Sequence, residues 1–143
     1  MDQLAHILLI DDSESINFFN RLIIEDSKIT RKCTFFLSAE KGLDYLKQED
    51  KERYPLPNII FLDINMPRMN GWEFITEYDK LDIEIREQIS LFLLTTSIND
   101  DDLQKANMLP TVKGYLNKPL SVDTIMSAYN LSLNVLQRKP LRS

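Results

Sequence analysis

The sequence has a single cysteine, Cys33, among its 143 residues. One thiol cannot form an internal disulfide, and its apolar surroundings predict a small core residue rather than a reactive one. No apolar run approaches the roughly 20 residues that a membrane-spanning helix needs. The first residues also lack the basic stretch of a secretory signal. We therefore expect a cytoplasmic protein that does not bind a membrane.

Basic charge is also scarce, since 17 Lys and Arg residues stand against 22 Asp and Glu, for a net charge of −5. Nucleic-acid binding needs a basic stripe, so this balance argues against it. The apolar fraction of 43% supplies an ordinary core, and 143 residues is close to the usual size of one domain. We expect one domain over residues 1–143, with a core over about residues 4–137.

Short apolar runs alternate with segments of helical periodicity along the chain. The runs predict five strands: Ala5–Ile10, Arg31–Leu37, Asn58–Asp63, Ser90–Thr95 and Lys113–Asn117. The segments between and after them predict helices from Ser13 to about Glu25, from Ala39 to about Gln48, from about Asn99 to Met108, and from a cap at Ser121 onward. A further helix after the turn at residues 65–71 carries Phe74, Ile75, Tyr78 and Leu81. The pattern predicts an α/β fold, a doubly wound five-stranded parallel sheet with helices on both faces and right-handed crossovers.

Apolar spacing also predicts which face of a helix packs on the sheet. In the first helix, the residues at helical spacing are Ile16, Phe19, Leu22 and Ile23. In the final helix, the stripe is longer and consists of Val122, Ile125, Met126, Tyr129, Leu133 and Leu136. We expect both stripes to face the sheet.

Polar residues stand where four of the predicted strands end. Asp11 and Asp12 follow the first run, Asp63 closes the third, Thr95 closes the fourth, and Lys118 follows the last. The carboxyl ends of parallel strands share one edge of a sheet, where open α/β sheets bind their ligands. We therefore expect three carboxylates, one hydroxyl and one ammonium group to converge there.

Such a set of side chains suits the transfer of a phosphoryl group. Three neighbouring carboxylates need a compensating charge, and Mg²⁺ fits because it prefers a few carboxylates, carbonyl oxygens and retained waters. The cation and Lys118 would neutralise the phosphoryl oxygens, Thr95 would donate a hydrogen bond, and one carboxylate would attack phosphorus. Asp63 is the preferred nucleophile because it stands alone on a central strand, whereas Asp11 and Asp12 can share the metal.

Four motifs carry a resemblance to a known family. They are Leu9-Ile10-Asp11-Asp12-Ser13, Leu62-Asp63-Ile64-Asn65-Met66-Pro67 with Met69-Asn70-Gly71, Leu94-Thr95-Thr96-Ser97, and Gly114-Tyr115-Leu116-Asn117-Lys118-Pro119-Leu120. In this order and spacing, they resemble the receiver domain of bacterial two-component response regulators over essentially the whole chain. The resemblance implies a flavodoxin-like sheet of strand order 2-1-3-4-5 and a stand-alone, chemotaxis-regulator-like receiver without an output domain.

The resemblance also implies a role for each acidic residue. Asp63 matches the family's phosphoacceptor, and Asp11 and Asp12 match the acidic pair that serves Mg²⁺ beside it. The main-chain carbonyl of Asn65 matches a further metal ligand. A sensor histidine kinase or a histidine phosphotransfer protein would donate the phosphoryl group. The domain would then catalyse only its own phosphorylation and dephosphorylation.

The remaining motif residues match the parts that respond to phosphorylation. Thr95 and Tyr115 match the family's switch pair, in which the hydroxyl moves toward the phosphoryl group and the aromatic ring turns inward. Lys118 matches the family's lysine, and the resemblance implies a cis peptide bond between it and Pro119, which proline makes inexpensive. The switched surface would bind a downstream protein that the sequence does not identify.

Two other functions stay open at this point. A haloacid-dehalogenase-like phosphohydrolase would share the sheet, Mg²⁺ and the aspartyl phosphate, and would turn over phosphate monoesters steadily. That family has an Asp-x-Asp motif and normally a cap domain, whereas Asp11 and Asp12 are adjacent and the chain is short. A pseudo-receiver acting as a constitutive binding module would not need Asp12, Asp63, Thr95 and Lys118 together.

Three further features have structural interpretations. We expect His6 to begin the first strand rather than to act as a phosphodonor. The run Asp100-Asp101-Asp102 is typical of a helix start, where the helix dipole favours acidic side chains. Trp72 is expected to pack beside the site without a chemical role.

Overall fold

The computed structural model describes residues 5–96 and 98–141, with side chains up to residue 133. Ser97 of the third motif and the side chain of Leu136 therefore lie outside the described part. The strands are β1 (Ala5–Ile10), β2 (Thr30–Phe36), β3 (Ile59–Asp63), β4 (Ser90–Thr95) and β5 (Val112–Asn117). The helices are α1 (Glu14–Ser27), α2 (Ala39–Lys47), α3 (Gly71–Tyr78), α4 (Ile83–Arg86), α5 (Asp100–Asn107) and α6 (Val122–Leu141).

The strands form one parallel sheet in the order β2-β1-β3-β4-β5, which confirms the predicted fold and strand order. Every residue of β1, β3 and β4 is buried, as continuous apolar runs predict for central parallel strands. Alternate residues of β1 face opposite sides, with Leu8 and Ile10 in one core cluster and Ile7 and Leu9 in the other. Side chains of α2, α3 and α5 complete the first cluster, and those of α1 and α6 complete the second.

The face that α1 turns to the sheet differs from the predicted one. Phe19 and Leu22 are 46% and 43% exposed, whereas Asn17 and Asn20 are 0% and 1% exposed. Ile24 is the buried apolar residue of this helix. The prediction was right for Ile23, which packs against the second core cluster, and wrong for Phe19 and Leu22. The helix is turned because the amides of Asn17 and Asn20 hydrogen-bond backbone groups below it, which apolar spacing cannot register.

Two smaller differences concern helices α4 and α6. The single turn of α4 was not predicted, because four residues are too few for a periodic pattern and none of them is buried. In α6, Ile125 is buried as expected but Val122 is 45% exposed. Val122 is the first residue of that helix. The start of α5 at Asp100 agrees with the expected acidic helix start.

The lone thiol has the predicted structural character. Cys33 lies in β2 and packs partly buried against the second core cluster. Burial raises the pKa of this thiol to about 12, so it remains protonated at physiological pH. A protonated thiol is a poor nucleophile, which agrees with a core role.

His6 is fully buried within β1 and joins three segments of the chain. Its backbone N–H donates to the Asn58 Oδ1 atom at 2.8 Å, and Asn58 N–H donates to the His6 carbonyl at 2.7 Å. The ring nitrogens lie 3.1 Å from Thr34 Oγ1 and 3.3 Å from the Leu56 carbonyl oxygen. Burial lowers the pKa of His6 below its usual value, although the bond to Leu56 partly opposes this.

We predict that protonation of His6 destabilises the fold. Because its pKa is lower in the folded state than in the unfolded state, its contribution to stability is complete above the unfolded pKa, about 6.5, and is lost as the pH falls below that value. The free energy of unfolding, measured with urea between pH 7.5 and 5.5, should therefore fall more steeply in the wild type than in His6→Gln. Equal slopes in the two proteins would contradict the prediction.

Candidate functional site

The register of the sheet brings three carboxylates to its carboxyl edge. Asp11 and Asp12 follow β1, Asp63 ends β3, and these neighbouring strands pair Ile10 with Leu62. Asp11 is 2% exposed and Asp63 is 4% exposed, while Asp12 is exposed to solvent. One oxygen atom from each of the three carboxylates lies within 4.8 Å of the others. The structure thus brings together the acidic residues that the sequence selected.

The Lys118 ammonium group lies between the two buried carboxylates. Its Nζ atom is 2.8 Å from Asp11 Oδ2 and 3.2 Å from Asp63 Oδ1, and its side chain is 8% exposed. The backbone N–H of Lys118 donates to the carbonyl of Thr95 at the end of β4, at 2.7 Å. The peptide bond from Lys118 to Pro119 is cis. Residues from four strand ends therefore meet within one hydrogen-bonded cluster.

The charges in this cluster shift one another's pKa. Burial raises the pKa of Asp63 and the charge of Asp11 raises it further, while Lys118 and the Asn65 backbone N–H act in the opposite direction. Burial alone would lower the pKa of Lys118, but its bond to Asp11 and the charges of Asp11 and Asp63 outweigh burial and raise it. Lys118 is therefore held in its charged form.

The donor set fits a hard divalent cation. Two buried carboxylates and one exposed carboxylate face a single ammonium group, which leaves an excess of negative charge. Magnesium ions bind oxygen ligands and retain several waters, and exposed Asp12 leaves one side of the cluster accessible to water. Asn65 is exposed two residues after Asp63, and the role of its carbonyl oxygen as a ligand stays a prediction.

Asp11 is fixed by more contacts than the sequence indicated. Its Oδ1 atom accepts from the Ser13 backbone N–H at 2.9 Å, and its backbone carbonyl accepts from Asn17 Nδ2 at 2.9 Å. The Asp11 N–H donates to the carbonyl of Phe36 at the end of β2, at 3.2 Å. Sequence reasoning missed Asn17, because the apolar spacing placed it outside the predicted inner face of the helix.

Gly71 allows α3 to begin against the backbone of Asp63. A Cβ atom at Gly71 would lie 2.8 Å from the Asp63 carbonyl oxygen and 2.9 Å from Ile64 Cα, too close for any side chain. The Gly71 N–H donates to the Ile64 carbonyl at 2.8 Å. A capping box between Asn70 and Glu73 fixes the same turn. The Asn-Gly pair of the second motif thus shapes the loop that follows Asp63.

Thr95 and Tyr115 lie on adjacent strands behind this cluster. Thr95 is 3% exposed, and Tyr115 packs against the first core cluster. The Tyr115 hydroxyl lies near Thr95 and near Asn99 and Asp102 at the start of α5. Burial raises the pKa of Tyr115, the charge of Asp102 in α5 raises it further, and nearby Thr95 lowers it. The ring therefore packs against the core, next to the start of α5.

Trp72 follows Gly71 and connects two helices. Its ring is partly buried, and the Lys105 Nζ atom lies 4.6 Å from the centroid of the ring. Cation–π contacts of this kind stabilise by about 0.5–1 kcal/mol at exposed sites. The contact joins the start of α3 to α5, the helix whose Asp102 lies near Tyr115.

A family model described as the response regulator receiver domain matches residues 7–130. Among individual proteins, the chemotaxis protein CheY of Bacillus subtilis is 26% identical over 132 residues, which cover 92% of this chain and 100% of that protein. Response regulator Rcp1 of Synechocystis sp. is 31% identical over 98 residues, which cover 68% of this chain and 65% of that protein.

Solved structures agree with this match. A two-component response regulator from Cytophaga hutchinsonii superposes with a TM-score of 0.86 at 31% identity, over 93% of this chain and 99% of that one. The Mn²⁺-bound form of response regulator Rcp1 superposes with a TM-score of 0.69 at 27% identity, over 89% of this chain and 91% of that one. No helix within residues 5–96 and 98–141 is long and apolar enough to cross a membrane.

We predict that Asp63→Asn stabilises the fold when no divalent cation is present. The amide removes a negative charge that burial and Asp11 both disfavour, so the free energy of unfolding at pH 7.5 should rise by about 1 kcal/mol. Because the folded pKa of Asp63 is raised, the gain should shrink as the pH falls and the wild-type carboxyl becomes protonated.

The matched variant is Lys118→Met, which leaves two buried carboxylates without their cation. It should lower the free energy of unfolding by about 3 kcal/mol, measured with the same denaturant. Destabilisation of Asp63→Asn to the same extent would show that the ion pair, and not the repulsion between carboxylates, dominates at Asp63.

Proposed function

Because the chain belongs to the response regulator receiver domain family, we propose that it is a phosphorylation switch whose phosphoacceptor is Asp63. The observation that carries the proposal is the buried pair of Asp11 and Asp63 bridged by Lys118 at the carboxyl edge of the sheet. A stable core does not require two buried like charges, and such groups are typical of functional sites. Family membership also argues against the phosphohydrolase alternative.

Asp11, Asp12 and Asp63, with the main-chain carbonyl of Asn65, would hold the Mg²⁺ ion of the site. The bound ion would supply positive charge against the phosphoryl oxygens. Support comes from the proximity of the three carboxylates and from the Mn²⁺-bound form of the related Rcp1. Asp12 is the exposed member of the set, so its side chain can bind or release the ion without unfolding the core.

Asp63 and Lys118 would have separate roles in the transfer of the phosphoryl group. An Asp63 oxygen attacks the phosphorus of a phosphohistidine on a sensor kinase or a histidine phosphotransfer protein. The phosphorus–nitrogen bond breaks, and its electron pair returns to the imidazole of the donor. Lys118 keeps its bond to Asp11 and turns its charge from Asp63 toward the new phosphoryl oxygens. The raised pKa of Lys118 keeps that charge in place throughout.

Thr95 and Tyr115 would convert this modification into a change of surface. The Thr95 hydroxyl would donate to the phosphoryl group, which gives that group a contact that differs between two packings of the domain. The Tyr115 ring packs against the first core cluster, with its hydroxyl near Thr95 and near Asp102 of α5. Outward rotation of the ring would expose that hydroxyl to water and change the surface beside α5. The face formed by α5, β5 and α6 would then bind the downstream protein.

We predict one phosphoryl adduct when the protein is incubated with acetyl phosphate and Mg²⁺. Intact-mass measurement should show the adduct on wild type and not on Asp63→Asn. Chelation of Mg²⁺ should remove it, and Asp12→Ala should slow its formation. Persistence of the adduct in Asp63→Asn would remove Asp63 from the nucleophile role. Failure of wild type to form it would instead favour the pseudo-receiver.

We predict that Thr95→Ala accepts the phosphoryl group but transmits little of its effect. Asp63 and Lys118 remain in this variant, whereas the contact that biases Tyr115 is lost, and a ligand with equal contacts in both states shifts no equilibrium. Chemical shifts around Tyr115 should change on phosphorylation in wild type and several-fold less in Thr95→Ala. The exposed neighbour provides the control, because Thr96→Ala should respond like wild type. Equal responses in all three proteins would place the signal on another route.

A further inference from the structure

The segment that carries Lys118 is held from both sides. On one side, the Lys118 backbone N–H donates to the Thr95 carbonyl at 2.7 Å. On the other side, the Leu120 backbone N–H donates to the side-chain Oδ1 atom of Asn20 at 3.2 Å, and both residues are buried. Pro119 between them has no N–H to donate. The two bonds therefore use both backbone donors of residues 118–120.

Asn20 is an unexpected residue for its place in the fold. It is 1% exposed in the middle of α1, while Ile24, Leu120 and Ile125 belong to the apolar cluster below the helix. An amide buried in such surroundings is costly unless its polar atoms are hydrogen-bonded. A leucine of similar size would add apolar contacts without that cost. The bond to Leu120 is therefore the feature that distinguishes asparagine from leucine here.

A second asparagine on the same face of α1 hydrogen-bonds Asp11, the carboxylate that pairs with Lys118. Asn17 is 0% exposed, and its amide donates to the Asp11 carbonyl at 2.9 Å. Helix α1 thus hydrogen-bonds the backbone carbonyl of Asp11 and the backbone N–H of Leu120, two residues after Lys118. The side chains of these two residues meet at 2.8 Å. The separation between the carboxylate and the ammonium group therefore depends on two amides of α1.

We propose that Asn20 is a positioning residue for phosphoryl transfer, which acts by anchoring the Leu120 N–H so that the Lys118 ammonium reaches Asp11 and Asp63. Asn20 itself does not touch the reacting atoms. The consequence for catalysis rests on the proposed function of Asp63. The effect of Asn20 on the position of Lys118 does not rest on that function, and it can be measured in the unmodified protein.

The test compares two substitutions of similar size. Asn20→Leu removes the acceptor oxygen, whereas Asn20→Asp keeps one at the same place. With acetyl phosphate and saturating Mg²⁺, the phosphorylation rate of Asn20→Leu should fall by about tenfold or more, since small misplacements of a catalytic group can cost about a hundredfold. Asn20→Asp should recover most of the rate. Ile24→Val, on the same helix face, loosens the packing but spares the bond and should stay near the wild-type rate.

A second measurement follows Lys118 directly. In the unmodified wild type, the Leu120 amide and the Lys118 ammonium protons should exchange slowly with water, because both are buried and bonded. Nuclear magnetic resonance should show both exchanging several-fold faster in Asn20→Leu, but not in Ile24→Val. Magnesium affinity should change little, which separates a misplaced lysine from a damaged metal site. If Asn20→Leu does not fold, Asn20→Ala takes its place.

The outcomes separate this proposal from the proposed function. Faster exchange at Lys118 in a protein whose wild type accepts no phosphoryl group would support the positioning role and reject the switch. Unchanged ammonium exchange in Asn20→Leu would overturn the positioning role, whatever the phosphorylation rates. An equal loss of rate in Asn20→Leu and Ile24→Val would also overturn it, because the effect would then be one of general packing.

Discussion

The contact of Lys118 with Asp11 and Asp63 is the interaction on which this domain depends. Two carboxylates that are 2% and 4% exposed could not both stay charged beside each other without a cation between them. Because Asp11 follows β1, Asp63 ends β3 and Lys118 is bonded to the end of β4, the contact ties the carboxyl edge of the sheet together. The same contact keeps that edge charged, so stability and reactivity are set by one group of atoms.

The surroundings of this contact are built mainly from backbone hydrogen bonds. The Ser13 N–H and the Asn17 amide hold Asp11, and the close approach of Gly71 fixes the chain after Asp63. Asn20 holds the chain after Lys118. These bonds position the charged side chains while leaving exposed Asp12 on the open side. The cluster is thus held by hydrogen bonds on its inner side and accessible on its outer side, which is the arrangement that the proposed phosphoryl transfer needs.

The sequence predicted the sheet well because its central strands are buried on both faces and so read as unbroken apolar runs. It also indicated which side chains converge, because each stands where such a run ends. Strand order came from the resemblance, since local pattern does not say which strands pair. The inner face of α1 was predicted wrongly at Phe19 and Leu22, because hydrogen bonds made by Asn17 and Asn20 orient that helix. Four-residue α4 carries too little pattern to be seen.

The buried position of His6 limits where a phosphoryl group on Asp63 can come from. It is the sole imidazole in the sequence, and it is fully buried and bonded within the sheet. These 143 residues therefore offer no accessible imidazole that could charge Asp63 or accept its phosphoryl group in return. Under the proposed function, every phosphoryl group on Asp63 must therefore come from a donor outside these residues. The fraction of Asp63 that is phosphorylated would then report the balance between that supply and hydrolysis of the aspartyl phosphate.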